Sequence, residues 1–444
     1  MLSCISIKNG LSAPLSFAIY HHPRLTETWG NRGNASVKTS GTPRRQTDEQ
    51  LLASLGYKQE FKRAFTPLEV FGIAFSIIGL LPSIASVLFY ALPNGGGPAM
   101  GGGGSSPHVR RLYFWTYCLC SPRWRRLLCW LVGYANTIGS IAAVASIDWA
   151  CAVQIMAAAN FGSNGAFEAT AAQSFGVYAA VVTLHIAVCC LGTAVLARLQ
   201  TVYVVINVLL CLAVIIALPA VTPAESRNTA RFALWDFTNF NGWPNGYAFI
   251  VSFTAPLWTI CSFDSCVHIS EEASNAAIAV PWAIVLATLL RASWVGQSTS
   301  WTKATLVIWA FVVIVQFMMG SSMLLAASRQ TFAFSRDSVS HTVSLSATLL
   351  SPQLYHVALP FSGWLYRMNS YTGTPVNTVI LDGILALLLG LLVFAGDQAI
   401  NAVFGISIVG LYIAYAIPIS ARLMGTNTFE PGPFSSEYSA CQSE

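Results

Sequence analysis

The sequence predicts an all-helical, polytopic membrane protein, and three observations carry that expectation. Hydrophobic residues make up 55% of the chain against 9% charged, and the mean hydropathy of +0.59 lies outside the range usual for soluble domains. Apolar runs recur from Thr66 almost to the C-terminus, each long enough for a bilayer core of about 30 Å, which takes roughly 20 helical residues. The Lys and Arg residues behind the net charge of +5 stand in short groups beside these runs. That is where orientation signals fall, so the partner they imply is the lipid bilayer and not a nucleic acid.

Residues 1–57 are mixed and polar. Their apolar stretch Leu11–Tyr20 is too short for a span and lacks a cleavage site, so they read as a cytosolic tail in which the sequon at Asn34 is never glycosylated. Residues 58–424 form the membrane domain, and residues 425–444 a short C-terminal tail. Eight spans are predicted: Thr66–Leu92, Leu127–Ala159, Phe175–Ala197, Thr201–Val221, Gly246–Ser270, Ala304–Ala327, Thr378–Gly396 and Ala399–Ser420. A ninth segment, AVPWAIVLATLLRASWVG, is marginal, because Arg291 near a helix centre costs about 2.5–3.5 kcal/mol on insertion scales.

Basic flanks set the orientation. Lys58, Lys62 and Arg63 place the start of the first span inside, yet Arg110, Arg111, Arg123, Arg125 and Arg126 then follow a single crossing. The parity is off by one helix. The intervening glycine-rich junction at 94–109 has linker composition, with neither the preceding strand nor the Gly-Lys-Ser/Thr of a phosphate-binding loop. Further on, Arg329, Arg336 and Arg367 read as a basic loop that falls inside only if the ninth segment crosses.

The 11 cysteines are scattered without zinc-site spacing and read as apolar packing residues, so no metal or cofactor is expected. HISEE lacks the two-histidine spacing of a zinc protease helix, and no clustered nucleophile and base argue for an enzyme.

Ionisable side chains inside spans are rare and mark solute or proton paths by default. Here they are Asp148, His185, Asp264, His268 and Asp382. Asp148 lies among small residues that suit close helix packing, where a structural hydrogen bond and a solute or proton role are equally open. His185 and Asp382 sit on uniformly apolar helices and read as packing or interface residues. Asp264 and His268 are four residues apart and share a helix face.

The span carrying Asp264 is interrupted by Thr254, Pro256, Thr259 and Ser262, and proline predicts a bend or opening near position 256. The first span has a matching interruption, with Gly79 and Pro82 near mid-membrane and Ser76 and Ser83 beside them. Secondary transporters built from inverted repeats bind solute where two such broken helices meet.

Long motifs carry a resemblance that covers most of Leu51–Phe434. TICSFDSCVHISEEASNAAIAVPWAI is very similar to the sixth-helix region of fungal permeases for choline, GABA and other amino acids, within the amino acid, polyamine and organocation superfamily. LLASLGYKQEFKRAFTPLEVFGIAFSIIGLLPSIASVLFYA, LCWLVGYANTIGSIAAVASIDWACAVQIM, MMGSSMLLAASRQTFAFSRD and LPFSGWLYRMNSYTGTPVNT match further regions. The resemblance implies about twelve spans, with helices one to five and six to ten as an inverted repeat that works by alternating access. It maps the unwound first helix to Ser76–Ser83 and the unwound sixth to Thr259–Asp264. The expected solute site is therefore Ser76, Gly79, Pro82, Ser83, Thr259, Ser262, Phe263 and Asp264, with Asp264, His268 and Asp148 as proton or charge carriers.

The chain also departs from the family pattern. Helix two is missing at the glycine-rich junction, most of helix seven is lost after AVPWAI, residues 338–357 resemble translated intron, and helices eleven and twelve are absent. The expected function is secondary transport of amino acids or related amines such as GABA or choline, with H+ as coupling ion. A truncated or mis-spliced permease without transport is the alternative. The expected location is the plasma membrane, with the vacuolar and endoplasmic reticulum membranes as alternatives.

Overall fold

The computed structural model describes residues 61, 65–79, 82–83, 116, 119–121, 123–221, 237, 239–240, 242–262, 264–268, 303–345 and 359–424. The expectations for residues 1–57, the junction at 94–109, the ninth segment, the tail at 425–444 and Phe263 fall outside them. The described elements are α1 (Pro67–Ile78), α2 (Arg125–Gly162), α3 (Ala171–Cys190), α4 (Thr193–Val221), α5 (Asn245–Ser252), α6 (Thr254–Ile260), α7 (Ser265–His268), α8 (Lys303–Leu345), α9 (Ser362–Leu365), α10 (Val376–Gly390, continued as 3-10 helix over Leu391–Ala395) and α11 (Asp397–Met424).

Among the described residues, six stretches of helix are long and apolar enough to cross a bilayer: Arg125–Gly162, Ala171–Cys190, Val195–Val214, Leu306–Arg336, Val376–Ala395 and Gln398–Arg422. They correspond to six of the eight predicted spans. The other two, around α1 and around α5 to α7, are the ones whose sequence predicted a break.

Each helix start follows from its local sequence. Thr66 opens α1 with a reciprocal cap, its hydroxyl accepting the Glu69 N–H at 3.4 Å while the Glu69 carboxylate accepts the Thr66 N–H at 2.6 Å, and Pro67 follows at the first helical position. Thr170 and Gln173 repeat the device at α3.

The core forms around α2, whose most apolar window is 72% buried, the highest share of the six. At 38 residues it is about 57 Å long and overshoots the hydrocarbon core. Its small residues let neighbours approach. A Cβ on Gly139 would meet the Leu411 backbone at 2.9 Å, and one on Gly410 would meet the Ala135 carbonyl at 2.8 Å, so α2 and α11 cross backbone to backbone there. On the outside, α3 buries Tyr178, Val181, Val182, His185 and Cys189 along one stripe and α4 exposes Leu209 and Ile216 at 60% and 68%. Exposed apolar faces of this kind fit lipid.

Three boundaries differ from the sequence reading. The turn after α3 falls at Gly192, whose φ of +114° suits glycine, so Thr193–Ala197 and Arg198 belong to α4 rather than to the end of the preceding span. Arg329 and Arg336 are not in a loop. Both are buried on α8, where the Arg329 guanidinium lies 5.9 Å from the centre of the Phe61 ring and donates to Ser328 Oγ at 3.2 Å. Aromatic and hydroxyl partners shelter that charge, which the charge pattern alone did not reveal. Finally, α8 continues through Leu345, into the first part of the segment at 338–357.

Candidate solute site at two helix breaks

The first break is short. α1 is helical through Ile78, Gly79 adopts φ 41° and ψ 70°, and helical geometry resumes at Pro82 and Ser83, with the Ser83 N–H on the Gly79 carbonyl at 2.8 Å. The opening is therefore narrower than the expected Ser76–Ser83, because Ser76 keeps its place in the helix. A left-handed residue ends the helix, and Pro82 has no N–H to continue it.

In the second span two effects separate that the sequence merged. Pro256 cannot donate to the Ser252 carbonyl, and the helix turns at Phe253, between α5 and α6. The true opening lies further on, at Cys261 and Ser262, where Ser262 takes φ 64°. Thr259 stays helical, with its hydroxyl donated to the Ala255 carbonyl at 2.8 Å. A non-glycine residue in the left-handed region is strained, and such strain concentrates at functional sites.

Freed backbone groups in a membrane must find partners inside the protein. At the second break the partner is Tyr415 of α11, which sequence reasoning did not single out. Its hydroxyl accepts the Ser262 N–H at 3.2 Å and donates to Asp264 Oδ1 at 2.6 Å. His268 Nε2 lies 3.1 Å from Asp264 Oδ2, so the pair expected from the four-residue spacing is formed. Ser265 Oγ donates to the Ser262 carbonyl at 2.6 Å. The Asp264 carboxylate is thus buried but bonded on both oxygens.

The two breaks meet at α8, since α7 packs against both α1 and α8. Met319 of α8 is wedged into the first break: Ser83 Oγ donates to its sulfur at 3.7 Å, and a Cβ on Gly79 would fall 2.8 Å from it. Near the openings, Ser76 Oγ and Trp258 Nε1 are buried with no hydrogen-bond partner among the described residues. Trp258 also packs on Phe404 of α11 at 5.1 Å between ring centroids. Ser76, Gly79, Pro82, Ser83, Thr259, Ser262 and Asp264 are all buried around this junction.

Asp148 belongs to a different cluster. It pairs with His185 of α3, Nδ1 lying 3.1 Å and 3.2 Å from the two carboxylate oxygens, with both side chains fully buried. Asp382 accepts the Thr331 hydroxyl at 2.9 Å and ties α10 to α8, in keeping with a packing role. Tyr415 carried no signal in sequence, and His185, singled out as an ionisable residue within a span, read as packing because its partner comes from a distant part of the chain.

The sequence matches the family described as amino acid permease over residues 70–293 and 289–431. It is 33% identical to the GABA-specific permease of Saccharomyces cerevisiae, over 87% of this chain and 74% of that protein. An uncharacterized amino-acid permease of Schizosaccharomyces pombe is 32% identical, over 87% of this chain and 75% of its own. A putative polyamine transporter of Candida albicans is 27% identical, over 87% and 76%. With the apolar helical fold and its two broken spans, these matches show that the chain is an integral, multi-pass membrane protein that belongs to the amino acid permease family of the amino acid, polyamine and organocation superfamily.

Proposed function

We propose that this protein is a secondary active transporter that carries an amino acid or a related small amine, such as GABA or choline, across the plasma membrane together with a proton, by alternating access. The observation that supports it most is the meeting of two buried helix breaks, at Gly79 and at Ser262, beside an ionisable carboxylate. A zwitterion needs a negative partner for its amine and backbone donors for its carboxylate, and a bilayer offers neither except where helices open inside protein.

Asp264 is the group we assign to the amine. Its Oδ1 is held by the Tyr415 hydroxyl, a neutral donor that an ammonium group can displace in favour of a charge-assisted bond. Displacement frees Tyr415 from the Ser262 N–H as well, so solute entry and rearrangement of the break are linked at one side chain. The GABA specificity in the name of the Saccharomyces relative and the polyamine in that of the Candida relative both fit a solute carrying an amine.

Uptake of radiolabelled GABA, choline and amino acids in permease-deficient yeast tests the reading. Expression should give saturable accumulation of at least one of them, abolished by a proton ionophore. Uptake no greater than in vector controls for every compound would refute it and leave a permease fold without transport.

A further inference from the structure

We infer that Asp148 and His185 form the site that holds the coupled proton, a site separate from the solute junction and read by it through α8. The inference rests on the proton-coupled reading above.

A carboxylate only accepts hydrogen bonds, so Nδ1 of a neutral His185 carries the hydrogen that faces Asp148. The pair then has a net charge of −1, in a place with no exposure to water. Within the described residues, His185 Nε2 has no hydrogen-bond partner. A proton arriving there from the aqueous phase turns the pair into imidazolium and carboxylate, neutral overall, and leaving for the other aqueous phase it restores the −1 state. Two states that differ by one buried charge favour different surroundings, as a coupling site requires.

The neighbours leave the pair free to play this part. Among the described residues, Cys151 on α2 and Tyr178 and Cys189 on α3 are near enough to feel Asp148, and Cys189 also feels Arg329 of α8. On α10, Asp382 is occupied by Thr331; on α11, Tyr415 is occupied by Asp264. Among the described residues, nothing charged from α8 touches the pair. Instead α8 presents Phe317, 4.3 Å from the His185 ring centre, and Gly320.

Gly320 supplies the link. A Cβ there would overlap Asp148 Oδ1 and lie 2.6 Å from His185 Cε1, so the α8 backbone rests directly on the pair. The preceding residue is Met319, whose sulfur fills the break at Gly79. One turn earlier, Gln316 Nε2 donates to the Ile147 carbonyl at 2.9 Å, fastening α8 to α2 beside Asp148. A shift of α8 that follows the charge of the pair is therefore felt at the α1 break.

The test uses the full chain in liposomes enclosing a pH-sensitive dye, with GABA as the solute. Wild-type protein should exchange labelled GABA across the membrane, accumulate it on an inward proton gradient and acidify the lumen as it does so. Asp148→Asn and His185→Gln should keep exchange within about 3-fold while losing gradient-driven accumulation and acidification by roughly 10-fold or more. Undiminished accumulation in both variants would overturn the inference, as would loss of exchange in step with accumulation in protein that melts normally. Should either variant fail to fold, GABA binding to wild-type protein in weakly buffered detergent should still move about one proton per chain, and no proton movement would overturn the inference. Wild-type accumulation that ignores the proton gradient sinks the proton site alone, whereas no GABA exchange by the wild type sinks the GABA transport reading and the proton site with it.

Discussion

Among the described residues, two buried aspartate and histidine pairs are built in different ways. Asp264 and His268 lie four residues apart across the opening of one broken span, and Tyr415 bridges their carboxylate to a strained backbone amide. Asp148 and His185 come from two continuous helices, 37 positions apart in sequence, and α8 closes over them with a glycine. The first pair can rearrange, because its backbone is already released from helical hydrogen bonding and its outer partner is a neutral hydroxyl. The second is fixed in place between regular helices, with both side chains fully buried. The proposed proton-coupled transport calls for both kinds of site, one that yields to a solute and one that keeps its shape.

The contrast is broken most forcefully by deleting a carboxylate. Asp148→Ala leaves the buried His185 Nδ1–H without its acceptor, and a buried donor left unsatisfied costs roughly 1–3 kcal/mol. Asp264→Ala should cost clearly less, since His268 is less enclosed and the opened backbone can resettle. Thermal unfolding of the two purified variants measures the difference, and equal losses would erase the distinction between a rigid and a yielding pair.

Gly320→Ala sharpens it next. The added methyl overlaps Asp148 Oδ1, and overpacking of this kind costs about 1–3 kcal/mol. Gly405→Ala on α11 meets nothing within 4 Å and should be neutral or stabilising by up to about 1 kcal/mol through helix propensity. A Gly320→Ala protein with unchanged melting would mean that α8 does not rest on the pair.

Tyr415→Phe is the mildest change. It removes the hydrogen bonds to Ser262 N–H and Asp264, worth about 1–2 kcal/mol together. Under the proposed assignment that hydroxyl competes with the solute amine, so the variant should show altered apparent affinity in uptake assays with only a small loss of melting temperature. Unaltered affinity would remove Tyr415 from the site.

How much of this was legible in sequence depended on distance along the chain. The helical class, the six long described helices and the presence of a break in each of the other two spans could be read from hydropathy, proline and glycine, since those signals are local. The Asp264 and His268 pair was legible for the same reason. Pro256 was read as the opening, yet it causes only the turn at Phe253; the opening at Ser262 arises where the Tyr415 hydroxyl takes a freed amide, a contact 153 residues away. His185 looked like a packing residue because nothing near it in sequence is polar enough to be its partner. Arg329 looked like loop charge because the Phe61 ring that shelters it is far away in the chain.

The central claim is that the two breaks form one solute site with Asp264 as the group that meets the amine. Titration calorimetry of a transported amino acid or GABA into purified wild-type and Asp264→Asn protein tests it most directly, with melting curves to show that both are folded. The account predicts binding to the wild type and a loss of about 10-fold or more in affinity for the variant, in line with removal of a charge-assisted bond of roughly 1.5–3 kcal/mol. Equal affinity in two folded proteins would contradict it and return Asp264 to a structural role.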